Sequence, residues 1–91
     1  MAISSTYAKH IDLIVTSTNP GQIIEFGKDI ALQVYGKIQA GGVVGKYIYE
    51  NRYRLHGWWR VVNSGGHPVA DDEAISLLKA EGHTIHNGTI K

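Results

Sequence analysis

The sequence predicts a mostly α domain with short strands, on three observations. Apolar residues recur at spacings of three and four in two separate stretches, near the start of the chain and after residue 70. Glycine and proline punctuate the chain where those stretches stop. Alternating residues around an Asn-Gly pair close the sequence as a hairpin would.

The first stretch is residues 5–17, where Tyr7, Ile11, Ile14 and Val15 share one helical face and Ser4, Ser5 or Thr6 caps the start. Its threonine-rich end leaves a strand through Ile11 to Val15 as an alternative. Thr16 to Gly21, with Pro20-Gly21 at its close, is a turn. Glu25 then supplies a cap and first-turn acid for a helix running to about Tyr35, with Ile30, Ala31 and Val34 on its core face. Gly36 ends that helix in the left-handed region.

Three glycines, Gly41, Gly42 and Gly45, follow within five residues. Each costs a helix interior about 1 kcal/mol relative to alanine. They imply either a frayed helix or a close approach of backbone to a phosphate. Without a following Lys-Ser or Lys-Thr the phosphate-cradle reading is weak. From Lys46 to Arg54, aromatics (Tyr47, Tyr49, Tyr53) interleave with cations (Lys46, Arg52, Arg54). That pattern suits stacking on bases with neutralised phosphates, and equally an ordinary helix end with snorkelling cations. Gly65 to Pro68 is a turn. Asp71, Asp72 and Glu73 favour a helix N-terminus, and Ala74, Ile75, Leu77 and Leu78 give that helix, about 71–81, an apolar face.

Composition sets further bounds. The 91 residues make one domain with a modest core, 43% hydrophobic. No apolar run approaches the ~20 residues of a membrane span, and no secretory leader is visible. The expectation is an intracellular, cytoplasmic protein, monomeric and without membrane contact. There are no cysteines, so disulfides, thiolate metal sites and thiol nucleophiles are excluded. His83 and His86 lack a cysteine or clear carboxylate to complete a metal set, and we expect neither metal nor cofactor. Net charge is only +1, but residues 28–60 carry six cations against Asp29 and Glu50, a balance of +4. Residues 61–91 carry Lys79 and Lys91 against four acids, a balance of −2. A basic middle with an acidic tail fits a polyanion footprint, or a merely solvated surface.

The least ordinary octet is Gly57-Trp58-Trp59-Arg60-Val61-Val62-Asn63-Ser64. Its plain reading is core packing, since tryptophans are mostly buried. The octet also resembles the Pro-Cys-His-Arg-Val-(Val/Ile)-Asn-Ser active-site motif of O6-alkylguanine-DNA alkyltransferases. It is closer still to the alkyltransferase-like proteins, in which tryptophan or another residue replaces the alkyl-accepting cysteine. Here Trp58 stands at the cysteine position and Trp59 at the histidine. Three more segments match in order. Residues 20–31 resemble the family's Pro-x-Gly-x-Val-(Ser/Thr)-(Thr)-Tyr-Gly-x-Ile-Ala, with one extra residue between Gly27 and Ile30. Gly41 to Tyr47 stand where relatives read Ala-Arg-x-Val-Gly-x-Ala on a recognition helix. Leu77 to His83 resemble Leu-Leu-x-x-Glu-Gly-(His/Val).

The resemblance implies a winged helix-turn-helix-like DNA-binding domain over the whole chain, with the helix-turn-helix at about 25–50 and the motif segment at 57–64. It implies a non-enzymatic protein that binds double-stranded DNA, takes an O6-alkylguanine by base flipping, and flags it for downstream repair proteins. By resemblance the lesion pocket comprises Phe26, Trp58, Trp59, Arg60, Val61, Val62, Asn63 and Ser64. The DNA-binding set comprises Gly41, Gly42, Val43, Lys46, Tyr47, Asn51 and Arg52, with Asn51 bracing the recognition helix against the motif strand. The sequence departs from the family twice in that machinery. Phe26 lacks the hydroxyl that relatives aim at the target phosphate, and Gly42 lacks the arginine that fills the gap left by an extruded base. Glu81 survives from the relatives' proton relay, with a structural role expected. Two other classes stay open: a nonspecific helix-turn-helix DNA-binding module, and a protein-interaction scaffold presenting the tryptophans to a partner such as a repair nuclease.

Overall fold

The computed structural model describes residues 3–90. Lys91, counted in the acidic tail, lies outside them, as does the side chain of Asp71. Helix α1 spans Ser5–Thr16, capped by the Ser4 hydroxyl, which accepts from the Tyr7 N–H at 3.3 Å. Ile11 and Val15 are fully buried, so helix rather than strand is correct for this stretch. Tyr7 is the exception on its apolar face. It is half exposed and packs on Tyr35, with ring centroids 4.6 Å apart.

After the turn, β1 (Ile24–Glu25) leads into a π-helical turn, Phe26–Ala31, continuous with α2 (Leu32–Tyr35). The wider turn is marked by the Leu32 N–H bonding the carbonyl of Gly27, five residues back. Such bulges absorb one additional residue in an α-helix. That is where the motif comparison requires one, between Gly27 and Ile30. Glu25 caps the helix by its position only, since its side chain makes no capping bond. Instead its backbone N–H donates to Asp29 Oδ2 at 2.8 Å. Gly36, at φ 75°, ends α2 as expected.

A 3-10 turn, Ile38–Ala40, delivers the chain to α3 (Gly41–Glu50), which packs closely across the π-helical turn. Helix α3 is therefore formed rather than frayed. A Cβ on Gly41 would stand 3.0 Å from the Gly27 Cα, and one on Gly45 would stand 3.3 Å from the Phe26 ring. The close approach foreseen from these glycines is thus to another helix and an aromatic ring. Two 3-10 turns, Arg52–Arg54 and Trp58–Arg60, carry the chain to β2 (Val61–Val62). Strands β1 and β2 pair in parallel, Ile24 with Val61 and Glu25 with Val62.

Helix α4 (Asp71–Ala80) buries Ala74 and Leu78 completely. Leu77, expected on that face, is 39% exposed, because it falls on the helix flank beside Leu78. The last residues form a hairpin, β3 (Ile85–His86) and β4 (Thr89–Ile90). Its turn places Asn87 and Gly88 at φ 51° and 78°, as an Asn-Gly hairpin turn requires. One core joins Ile11 and Val15 of α1, Ile30 and Ala31, Val44 and Ile48 of α3, both tryptophans and Leu78. Among the described residues no helix is long and apolar enough to cross a membrane.

Candidate nucleic-acid interface

The parallel pairing of β1 and β2 decides where the site lies. In matched register, both strands end on the same side of the molecule, so the next residues, Phe26 and Asn63, emerge together. The start of α3 closes the third side. The result is a cleft of about 390 Å³ lined by Glu25 to Lys28, Ile38, Gly41, Gly42, Asn63 and Ser64. Phe26 lies along α3, its ring packed where Gly41 and Gly45 leave room for it. Nothing stands within 4 Å of where a Cβ on Gly42 would be, so that position is open.

Asn63 builds its own wall of the cleft. Its Oδ1 accepts from the backbone N–H groups of Gly65 (2.9 Å) and His67 (3.0 Å). Its backbone N–H donates to the His67 carbonyl at 2.8 Å. The terminal hairpin braces the same turn through Ile90 N–H on the Gly66 carbonyl, 3.2 Å. The Asn63 side-chain amide nitrogen makes no hydrogen bond among the described residues, which leaves a donor beside the cleft.

Behind the cleft the motif segment is core. Trp58, Trp59, Arg60, Val61 and Val62 are between 0% and 9% exposed. The two indoles meet edge to face, 6.1 Å between centroids. None of these five lines the cleft, whereas the resemblance set Trp58, Trp59 and Val61 around the pocket. Their bulk is the reason: large apolar side chains gain more from the interior than from an open groove. The plain core-packing reading of the tryptophans is the observed one.

Arg60 does not line the cleft either. It is 2% exposed, and a buried guanidinium must be paired. Its Nη2 donates to Glu81 Oε2 at 2.5 Å and its Nε to both carboxylate oxygens at 3.1 Å. Its Nη1 donates to the Thr18 carbonyl at 2.8 Å, and the guanidinium sits 4.9 Å from the Trp59 ring. Glu81 in turn accepts from the Gly21 N–H at 3.1 Å. Arg60 thus ties the motif segment to the first turn and to the end of α4, which gives Glu81 its structural role.

Arg60 holds the Glu81 carboxyl down at about 2, against a usual value near 4.5; burial opposes the shift and the Gly21 N–H assists it. Trp59 adds a smaller pull, although its indole N–H completes no hydrogen bond among the described residues. Because the folded value is depressed, the stabilisation is present above pH ~4.5 and is lost as pH falls toward 2. About 3 kcal/mol should disappear over that window. Urea unfolding between pH 7 and 2 reads it. Glu81→Gln should flatten that part of the profile, and an unchanged slope would show that other carboxylates dominate.

Three residues of the expected DNA-binding set spend their polar groups inside the chain. The Tyr47 hydroxyl donates to Asp12 Oδ1 at 2.7 Å and accepts from Arg54 at 2.6 Å; burial and Asp12 raise its pKa. Asn51 bonds the Tyr47 carbonyl of its own helix and accepts from Arg54, so it caps α3 rather than bracing it against the motif strand. Arg52 pairs with Glu73 at 3.1 Å and lies between the rings of Tyr49 and Tyr53, 4.1 and 4.4 Å from their centroids. Tyr47, Asn51, Arg52 and Arg54 thus form a self-satisfied corner of the fold. Gly42, Val43 and Lys46 remain on the outer side of α3. Glu25, Lys28 and Ile38 complete the cleft without having been assigned to a site from the sequence. The extra residue beside Lys28 was the available signal. Among the described residues, no three His, Cys, Asp or Glu side chains gather where a metal could be held.

No family model and no curated protein matches the chain. A solved structure does. The crystal structure of S. pombe Atl1 in complex with damaged DNA containing O6-carboxymethylguanine superposes on 99% of this chain and 91% of that one, with a TM-score of 0.80. The fold is that of Atl1. At 22% identity with Atl1, the shared property is the fold, and it agrees with the mostly α, winged helix-turn-helix-like expectation. Atl1 was captured on damaged DNA, and its fold extends over nearly every residue of the present chain.

Proposed function

We propose that this protein binds double-stranded DNA along α3 and receives an O6-alkylated guanine in the adjoining cleft, without transferring the alkyl group. The observation that carries this reading is the convergence of Phe26, Asn63 and Ser64 with Gly41 and Gly42 around one open cleft. Three of those residues belong to the set likened to a lesion pocket and two to the helix likened to a recognition helix. Phe26 and Ile38 offer apolar surface, while the Asn63 amide and the Ser64 hydroxyl offer hydrogen-bonding groups. The chain has no cysteine, so no thiol exists to accept an alkyl group. A bound lesion would stay bound until another factor acts, and the protein's role is to mark it. Burial of Trp58 and Trp59 speaks against the alternative in which an exposed tryptophan patch captures a protein partner.

Extruding a base costs a few kcal/mol, less at a damaged pair. Phe26 brings no hydroxyl to that task and Gly42 no side chain. Selectivity should therefore be real but modest. The test is a titration of a duplex carrying one O6-methylguanine against the same duplex without it. Preference for the lesion supports the reading; equal, salt-sensitive binding leaves only a nonspecific DNA binder, and no binding at low salt removes both. Gly42→Arg is the informative variant, since the position is open and exposed. Replacing a helical glycine should add about 0.5–1 kcal/mol of stability. It should also tighten binding to the lesion duplex on the order of tenfold by adding a cation beside the cleft. A stabilised variant with unchanged DNA affinity would place the duplex elsewhere.

A further inference from the structure

Positive charge available to a ligand is not where the sequence concentrates it. Of the six cations between residues 28 and 60, Arg52, Arg54 and Arg60 are paired with Glu73, Asp12 and Glu81. Lys28, Lys37 and Lys46 are exposed and form no ion pair among the described residues. Lys28 and Lys37 flank the start of α3, and Lys46 lies on it. Lys28 lines the cleft with Gly41 and Gly42. Lys37 lines a neighbouring hollow of about 430 Å³ with Ala40 and Val43. Lys46 lies four residues after Gly42, one helical turn along the same face. An unpaired lysine on a flexible stem is a point charge free to meet a phosphate.

Lys28 differs from the other two because it stands at the cleft itself. A nucleotide whose base enters the cleft carries its phosphate to the rim. Glu25 lines the same cleft, and its carboxylate would repel that phosphate. The Asp29 carboxylate accepts the Glu25 N–H and keeps its negative charge in the same turn. Phe26 presents no hydrogen-bond donor. The Lys28 ammonium is then the cation that can offset Glu25 and hold the phosphate with a charge-assisted hydrogen bond. It belongs to the π-helical turn, the segment where the motif carries an additional residue.

We infer that Lys28 is a positioning residue that anchors the phosphate of the nucleotide occupying the cleft, whereas Lys37 and Lys46 contact neighbouring phosphates whatever the base. This rests on the DNA-binding function proposed above. The two ideas separate in one experiment. Wild type, Lys28→Ala, Lys28→Arg and Lys46→Ala are titrated with a duplex containing one O6-methylguanine and with its undamaged twin, over a series of salt concentrations. Lys28→Ala should lose about five- to tenfold on the lesion duplex and less than about twofold on the undamaged one. Its salt slope on the lesion duplex should fall by about 1. Lys28→Arg should stay within about twofold of wild type, because the charge is kept. Lys46→Ala should weaken both duplexes by the same factor and leave their ratio unchanged. If Lys28→Ala weakens both duplexes equally, or neither, the assignment of Lys28 is overturned while a wild-type preference for the lesion still stands. A wild type without that preference overturns the proposed function, and the role of Lys28 with it.

Discussion

Arg60→Ala is expected to lower the unfolding free energy by about 3–5 kcal/mol, the cost of leaving one member of a buried ion pair without its partner. The guanidinium is 2% exposed and makes every one of its bonds within the chain, to Glu81 and to Thr18. Removing it strands the Glu81 carboxylate, whose side chain is only 12% exposed, and unties three segments at once. Domains of this size hold about 5–15 kcal/mol in total, so the variant should be marginal at 37 °C. Urea denaturation at pH 7 measures the loss. The double variant Arg60→Met/Glu81→Leu should recover a good part of it, since apolar replacement of a buried pair is often neutral. A single variant that loses less than about 1 kcal/mol would mean that water reaches the pair.

Gly57→Ala should cost about 3 kcal/mol or more, from two causes that add. The residue sits at φ 97°, where a side chain is strained by about 1–2 kcal/mol. Its Cβ would also lie 2.7 Å from the Thr18 hydroxyl oxygen and 2.9 Å from the Val15 carbonyl oxygen. Neither neighbour can withdraw freely. The Thr18 hydroxyl bonds the Val15 carbonyl and accepts from Arg60, so the clash would propagate into the buried pair. The same φ forbids the proline that the likened family carries at this position. Gly42→Ala, on an open helical surface, is the control: it should be neutral or slightly stabilising. A fall in urea midpoint of the same size in both variants would refute this account.

The helices were legible because their apolar residues repeat at three and four and their ends carry Ser4, Gly36 and the acids before Ala74. The hairpin was legible because Asn87-Gly88 admits few other conformations. What escaped the sequence is what has no period. Two-residue strands such as β1 and β2 show no alternation, yet their pairing is what brings Phe26 to Asn63. The partners of Arg52, Arg54 and Arg60 lie 21, 42 and 21 residues away, so the arginines of what looked like a free basic patch are internally neutralised. Of the expected lesion pocket, Phe26, Asn63 and Ser64 line the cleft and the remainder is the core behind it. Motif order could suggest which residues share a neighbourhood, but not which of them face outward.

The π-helical turn sets a phase. In an ordinary α-helix each residue advances the side chains by roughly 100°. With one residue fewer between Gly27 and Ile30, Phe26 would be rotated by about that angle relative to Ile30 and Ala31. Either the ring would leave its seat on Gly41 and Gly45, or the two buried residues would leave the core. The widened turn lets one short segment keep both engagements, so the inserted residue works as an angular spacer between the interior of the protein and the cleft.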